Sequence, residues 1–173
     1  MKPKILTFIL TAITGFAFIC CEKDDADIPG TVDLFLLESY QKGVGSQIDE
    51  TTVVTNEEPL VRYEDFISYN PEQYVFLITD RAKAAIQGLQ HSSFGIAFAI
   101  KANNELIYTG YFWPSFSSGG CNWVVIDPLA TGLTNTLTVE LGYPGLLEGV
   151  EIPDKRNDKR ILDIFKRDHK LED

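Results

Sequence analysis

Histidine is nearly missing from this chain: His91 and His169 are the only two in 173 residues. Cysteine is almost as rare, with Cys20 and Cys21 adjacent near the N-terminus and Cys121 alone in the body. Lys and Arg number 15 against 25 Asp and Glu, for a formal charge of −10. Each shortage excludes something. Two histidines do not assemble a His-rich zinc site. A chain this acidic lacks the clustered cations that displace counterions from phosphates, so no nucleic-acid partner is expected. No Asp-x-Asp-x-Asp-Gly loop appears for calcium. GxSxG, P-loop and GxGxxG motifs are absent, and no paired-carboxylate spacing marks a glycosidase. The expectation is therefore no metal, no cofactor and no assignable catalytic residue.

Long apolar runs are also lacking. Ile5 to Ile19 is uncharged and mostly apolar, but its fifteen residues fall short of the ~20 that a membrane-spanning helix needs. Preceded by Lys2 and Lys4, the run has the make-up of a secretory leader, with a single-pass anchor as the alternative. It ends at Cys20-Cys21 and not at an Ala-x-Ala cleavage site. This resembles a bacterial lipoprotein signal, in which a cysteine following a small residue is acylated and becomes the first mature residue. Cys21, preceded by Cys20, fits better than Cys20, preceded by bulky Ile19. Phe18 and Ile19 depart from the usual Leu and small polar residue.

The following Glu22, Lys23, Asp24 and Asp25 resemble the surface-export tether of Bacteroidetes-type lipoproteins. That resemblance covers the first 25 residues and implies an outer-membrane protein, lipid-anchored through Cys21 and displayed on the cell surface. A periplasm-facing lipoprotein with an ordinary acidic linker is the alternative. The expected organisation is a leader over 1–20, an acidic tether over 21–30 and one domain over 31–173. Charge is concentrated early, with 13 acidic and 3 basic residues from Cys21 to Glu72. If Cys20 leaves with the leader and Cys21 is acylated, Cys121 has no partner for a disulfide.

What the chain does have is most concentrated between Phe94 and Pro128. Phe94, Ile96, Phe98 and Ile100 alternate with Gly95, Ala97 and Ala99, the two-residue period of a strand. Asn103-Asn104 suits a tight hairpin, because Asn tolerates left-handed backbone. The chain returns through Leu106 to Trp113, and Trp123 to Ile126 reads as a buried strand. Tyr108 to Phe116 carries five aromatics in nine residues, followed by Ser117-Ser118-Gly119-Gly120. Flat rings beside small polar groups are how many sugar and peptide sites are built. Tyr111, Trp113, Phe116, Ser117 and Ser118 are thus the candidate binding surface, against the alternative that the aromatics are core. Strand alternation places Tyr111 and Trp113 together, opposite Tyr108, Gly110 and Phe112, so Trp113 is expected to be partly exposed. Pro114 would hold the loop clear of the sheet.

Gly119-Gly120-Cys121-Asn122-Trp123 resembles the Cys-x-Trp neighbourhood of papain-like proteases. Their mechanism needs a His base far downstream, whereas His91 precedes Cys121 and His169 sits in the charged tail. Cys121 is read as a core residue.

Elsewhere, Val32 to Tyr40, Thr51 to Thr55 and Tyr74 to Ile78 read as strands, and Leu60 to Tyr69 as one or two helical turns. Thr79 or Asp80 is an N-cap, and Ala82, Ala85, Ile86 and Leu89 form a helical stripe expected to lie on the shallow Gly95, Ala97, Ala99 face. Residues 76 to 110, in their order of strand, helix, strand, turn and strand, loosely resemble a periplasmic segment of the export component SecD, with no functional residue attached. Leu137, Val139 and Leu141 alternate as another strand. Asn157 or Asp158 caps a last helix with Ile161, Ile164 and Phe165 on one side. The basic run Lys155 to Arg160 reads as a solvated helix face.

The fold expected is α+β: one domain with a mainly antiparallel sheet, a central helix packed on it and a C-terminal surface helix. The function expected is that of a non-enzymatic binding or accessory module for a glycan or another envelope protein. A surface hydrolase acting on glycan or peptide is the alternative.

Overall fold

A computed structural model describes residues 30–172, apart from 91 and 147. The leader, Cys21 and the tether residues Lys23, Asp24 and Asp25 lie outside the described residues. No described helix is long and apolar enough to cross a membrane.

The domain is α+β, built on two mostly antiparallel sheets. The larger has six strands in the order β2-β1-β5-β6-β7-β9, from β1 (Val32–Lys42), β2 (Ile48–Thr55), β5 (Ile96–Ala102), β6 (Glu105–Phe112), β7 (Cys121–Ile126) and β9 (Glu140–Tyr143). The smaller runs β3-β4-β8, from β3 (Phe66–Asn70), β4 (Val75–Ile78) and β8 (Thr136–Thr138). Three helices complete it: α1 (Asp80–Gln87), α2 (Pro128–Thr134) and α3 (Lys159–Arg167).

The central β5–β6 hairpin turns on Asn103 and Asn104, both at positive φ (55° and 64°), as a primed turn requires. One face of the pair carries Phe98 and Phe112, with ring centroids 5.2 Å apart. Aromatic packing continues in the smaller sheet, where Tyr69 stacks on Phe76 at 4.2 Å. Phe165 of α3 sits edge-on to Tyr69 at 5.7 Å. Ile161, Ile164 and Phe165 are all buried, so the C-terminal helix commits its apolar stripe fully to the core. Asp158 caps it, accepting from Arg160 N–H at 2.9 Å.

The other face of the β5–β6 pair holds Ala97, Ala99, Thr109 and Tyr111. It is closed by the β1–β2 hairpin and not by α1. Register shifts at Leu37/Ser39 and Ser39/Gln41 bend β1, as bulges do, and the hairpin folds back across the sheet. Glu50 Oε1 of β2 accepts from the Thr109 backbone N–H at 3.0 Å. Its Oε2 accepts from Lys155 at 2.6 Å. Trp123 Nε1 donates to Thr109 Oγ1 at 2.9 Å, so this buried polar cluster is satisfied. At the hairpin's tip, Asn122 Oδ1 accepts from Ser46 N–H at 2.6 Å. Small side chains at Ala97 and Ala99 leave room for a folded-back strand. α1 instead packs beside α2.

Three further expectations change. Residues 63–65 form a single 3-10 turn, after which β3 begins at Phe66. The stretch over Leu137 to Leu141 is divided, β8 pairing with β4 and β9 with β7. α2 follows the end of β7: Asp127 caps it and Pro128 sits in its first turn, where a missing N–H costs nothing. The basic run Lys155 to Arg160 is tied inward. Besides Lys155, Arg156 pairs with Asp154 at 2.7 Å and Arg160 with Asp158 at 2.8 Å.

Candidate binding site

β6 and β7 are parallel neighbours joined by the eight residues from Trp113 to Gly120. Parallel pairs usually need about a dozen residues or more to cross over. The short link suffices because the strands pair only at Tyr111–Val125 and Phe112–Ile126. The loop has merely to lead back to the start of β7.

This loop does not stand clear. Trp113 is 6% exposed, and its indole Nε1 donates to Gly119 O at 3.3 Å. Pro114 is buried. Ser117, also buried, donates to Ser93 O at 2.7 Å. Tyr143 OH donates to Ser115 O at 2.8 Å. The expected partial exposure of Trp113 is therefore overturned, and Tyr111 too is buried. The inference of one wet side failed because both faces of the sheet are covered, one by the core and the other by the folded-back hairpin. Tyr108 and Phe112 are buried as expected. Of the five candidate residues, Phe116 (58% exposed) and Ser118 reach solvent.

Tyr111, Trp113, Ser117 and Ser118 nevertheless meet around one cavity of about 310 Å³, the lower end of ligand-pocket volumes. Two other loops complete its wall. The end of β1 brings Lys42, the β1–β2 loop brings Ser46, and the segment before β5 brings Ser93 and Phe94. The aromatic–polar loop thus borders a cavity, with the rings as its floor and wall.

Sequence reading missed Lys42, Ser46, Ser93 and the exposure of Phe94. Phe94 looked like the first inward residue of β5, yet it is 79% exposed. Gly95 adopts φ +74°, which ends the strand's alternation one residue before Ile96. A Cβ at Gly95 would lie 2.7 Å from Trp113 Cε3, so the glycine lets the backbone press against the indole.

The charge pattern is distinctive. Among the described residues no Asp or Glu lines the cavity, and Lys42 is its one charged residue. Lys42 Nζ lies 6.0 Å from the centroid of Tyr111 and makes no ion pair among the described residues. The Tyr111 hydroxyl is buried and meets no partner at good hydrogen-bond geometry among them, Tyr40 being the neighbour that interacts with it. Tyr40 crosses its ring edge-on at 6.1 Å. Burial, reinforced by Tyr40, pushes the Tyr111 hydroxyl far above its ordinary pKa. Cys121 is fully buried, and burial raises its thiol despite the nearby Lys42 charge. A buried, protonated thiol is a poor nucleophile.

A larger cleft of about 900 Å³ lies elsewhere, lined by residues including Asp33, Glu58, Arg62, Tyr63, Asp168 and Lys170. Most of its charges are partnered, although Glu57 lines it with no ion pair among the described residues. Asp33 accepts from Tyr63 N–H at 2.9 Å, Glu58 pairs with Arg62 at 2.5 Å and Asp168 accepts from Tyr63 OH at 2.7 Å. Lys170 donates to Tyr63 O at 3.0 Å. The smaller cavity, which gathers four of the five candidate residues, is the better candidate. No group of three or more His, Cys, Asp or Glu side chains poised for a metal occurs among the described residues. Comparison with known proteins finds no matching family model, no matching curated protein and no matching solved structure.

Proposed function

We propose that this is a cell-envelope lipoprotein, anchored through Cys21, whose folded domain is a binding or accessory module for a glycan or another envelope protein. The observation supporting the binding role is the cavity where the three loops converge. It combines aromatic walls, hydroxyls from Ser46, Ser93 and Ser118 and, among the described residues, no carboxylate. Phe94 and Phe116 beside it are exposed, although large apolar side chains are usually withdrawn from water. The alternative, a surface hydrolase, finds less support. Glycoside hydrolysis needs two carboxyl groups flanking the scissile bond, and this lining supplies none.

The anchoring and outer-membrane location rest on the apolar leader, Cys21 and the Lys23-Asp24-Asp25 tether. Buried acyl methylenes each add ~0.8 kcal/mol of membrane affinity, so a multi-acyl anchor holds firmly.

Affinity capture from solubilised envelope, with wild type and Phe94→Ala side by side, tests the binding role. Recovery of a glycan or protein that is lost with Phe94→Ala supports the reading. Equal recovery by both, or release of new sugar or peptide ends by the wild-type protein, would overturn it.

A further inference from the structure

We propose that the cavity recognises an acidic sugar, with Lys42 taking the anionic group and Phe94 the apolar face of the ring. This rests on the binding role proposed above and narrows it to a ligand class.

Charge carries the argument first. The chain has a formal charge of −10, yet among the described residues the cavity has no acidic lining residue and a single cation. Nearby carboxylates are engaged elsewhere: Asp49 accepts from Thr51 N–H and Oγ1 at 3.0 and 2.7 Å, and Glu50 is held by Thr109 and Lys155. Among the described residues Lys42 is therefore an ammonium without an ion pair, lining a site that no carboxylate lines. A ligand anion there gains a charge-assisted hydrogen bond, stronger than a neutral one.

The lining hydroxyls are the second observation. Ser46, Ser93 and Ser118 line the cavity, and Ser93 and Ser118 are exposed. Each hydroxyl can both donate to and accept from a ligand hydroxyl. Sugars offer such hydroxyls on several sides. Their C–H faces also pack on exposed rings, and Phe94 is placed for this. An extended acidic peptide would share the anion but not the dense hydroxyls that Ser46, Ser93 and Ser118 can answer.

The test is calorimetric titration of the full chain in non-ionic detergent. The probes are trigalacturonate beside its methyl ester, and sialyllactose beside lactose. In each pair the second sugar lacks the charge. The expected result is binding of at least one acidic sugar about tenfold or more tighter than its neutral counterpart, the scale of one charge-assisted hydrogen bond. Lys42→Gln should abolish that preference, Lys42→Arg should keep it, and added salt should weaken it. Circular dichroism should show Lys42→Gln folded as wild type, since Lys42 is exposed. Equal affinity for acidic and neutral sugars overturns the acidic assignment while the glycan-binding reading survives. An acidic preference unchanged in Lys42→Gln overturns the site. Binding of neither acidic sugar, alongside Phe94-dependent capture of an envelope protein, overturns the sugar and leaves the protein-binding form of the reading standing.

Discussion

The Trp113 indole N–H donates to the Gly119 carbonyl at 3.3 Å, so the tryptophan at one end of the β6–β7 loop holds the other end in place. Two consequences follow: the loop's shape depends on a core residue, and the loop is not a free recognition arm.

Trp113→Ala should accordingly cost about 3–5 kcal/mol, the range for removing a large buried aromatic side chain. Phe116→Ala, in the same loop but exposed, should change stability by less than about 0.5 kcal/mol. Urea unfolding of the two variants separates them. A small loss for Trp113→Ala would mean that the indole does not hold the loop.

Phe94→Ala should leave the urea midpoint within experimental error of wild type, because the ring is largely in water. Its effect should fall on ligand or partner capture, where an exposed aromatic anchor is worth about 1–2 kcal/mol or more. A destabilised Phe94→Ala with intact capture would reverse the roles assigned to Phe94 and Trp113.

Gly95→Ala combines two penalties. The position has φ +74°, where a side chain is strained, and the new methyl would meet the Trp113 ring at 2.7 Å. A loss of roughly 1–3 kcal/mol is expected, with a shift in tryptophan fluorescence as the indole is displaced. An unaltered melting temperature would show that the backbone here yields freely.

Strands were legible where local chemistry decided them. The Asn103-Asn104 turn, the alternation of β5 and the Thr79 cap all depend on neighbours in sequence. Thr79 Oγ1 does accept from Ala82 N–H, at 3.3 Å. The stretch from Leu137 to Leu141 shows what local pattern cannot reveal: strand alternation says that a segment is extended, but not that its halves join different sheets. The covering of Ala97 and Ala99 was equally hidden, since it depends on a bend in β1 more than fifty residues away. The site followed the same division. Tyr111, Trp113, Ser117 and Ser118 were findable because they crowd into one stretch. Lys42 and Ser46 arrive by long-range folding and carry no local mark. Their one available signal was negative, a lysine isolated in an acidic half of the chain.

The last prediction concerns acid. Asp65 is buried, accepting from Thr79 Oγ1 at 2.6 Å and from Arg81 Nε at 2.9 Å. Burial alone would raise its pKa, but the hydrogen bonds from Arg81 and Thr79 outweigh it and hold the carboxyl below its usual range. Asp168 is pushed down to about 2, chiefly by its hydrogen bond to Arg167 and further by Tyr63 OH. Both folded values lie below the unfolded value of about 3.9. The two carboxylates therefore stabilise the fold fully above that pH, and the stabilisation fades as pH falls toward the folded values. Asp65→Asn should cost about 1–2 kcal/mol near neutrality, allowing for the exposure of Arg81. The gap from wild type should narrow steadily below about pH 4. Asp168→Asn should narrow along the same direction, closing only as pH approaches about 2. Melting temperatures of both variants and wild type across that range give the answer. A gap constant down to the lowest pH would mean that the shape of the side chains, and not their charge, stabilises the fold at these positions.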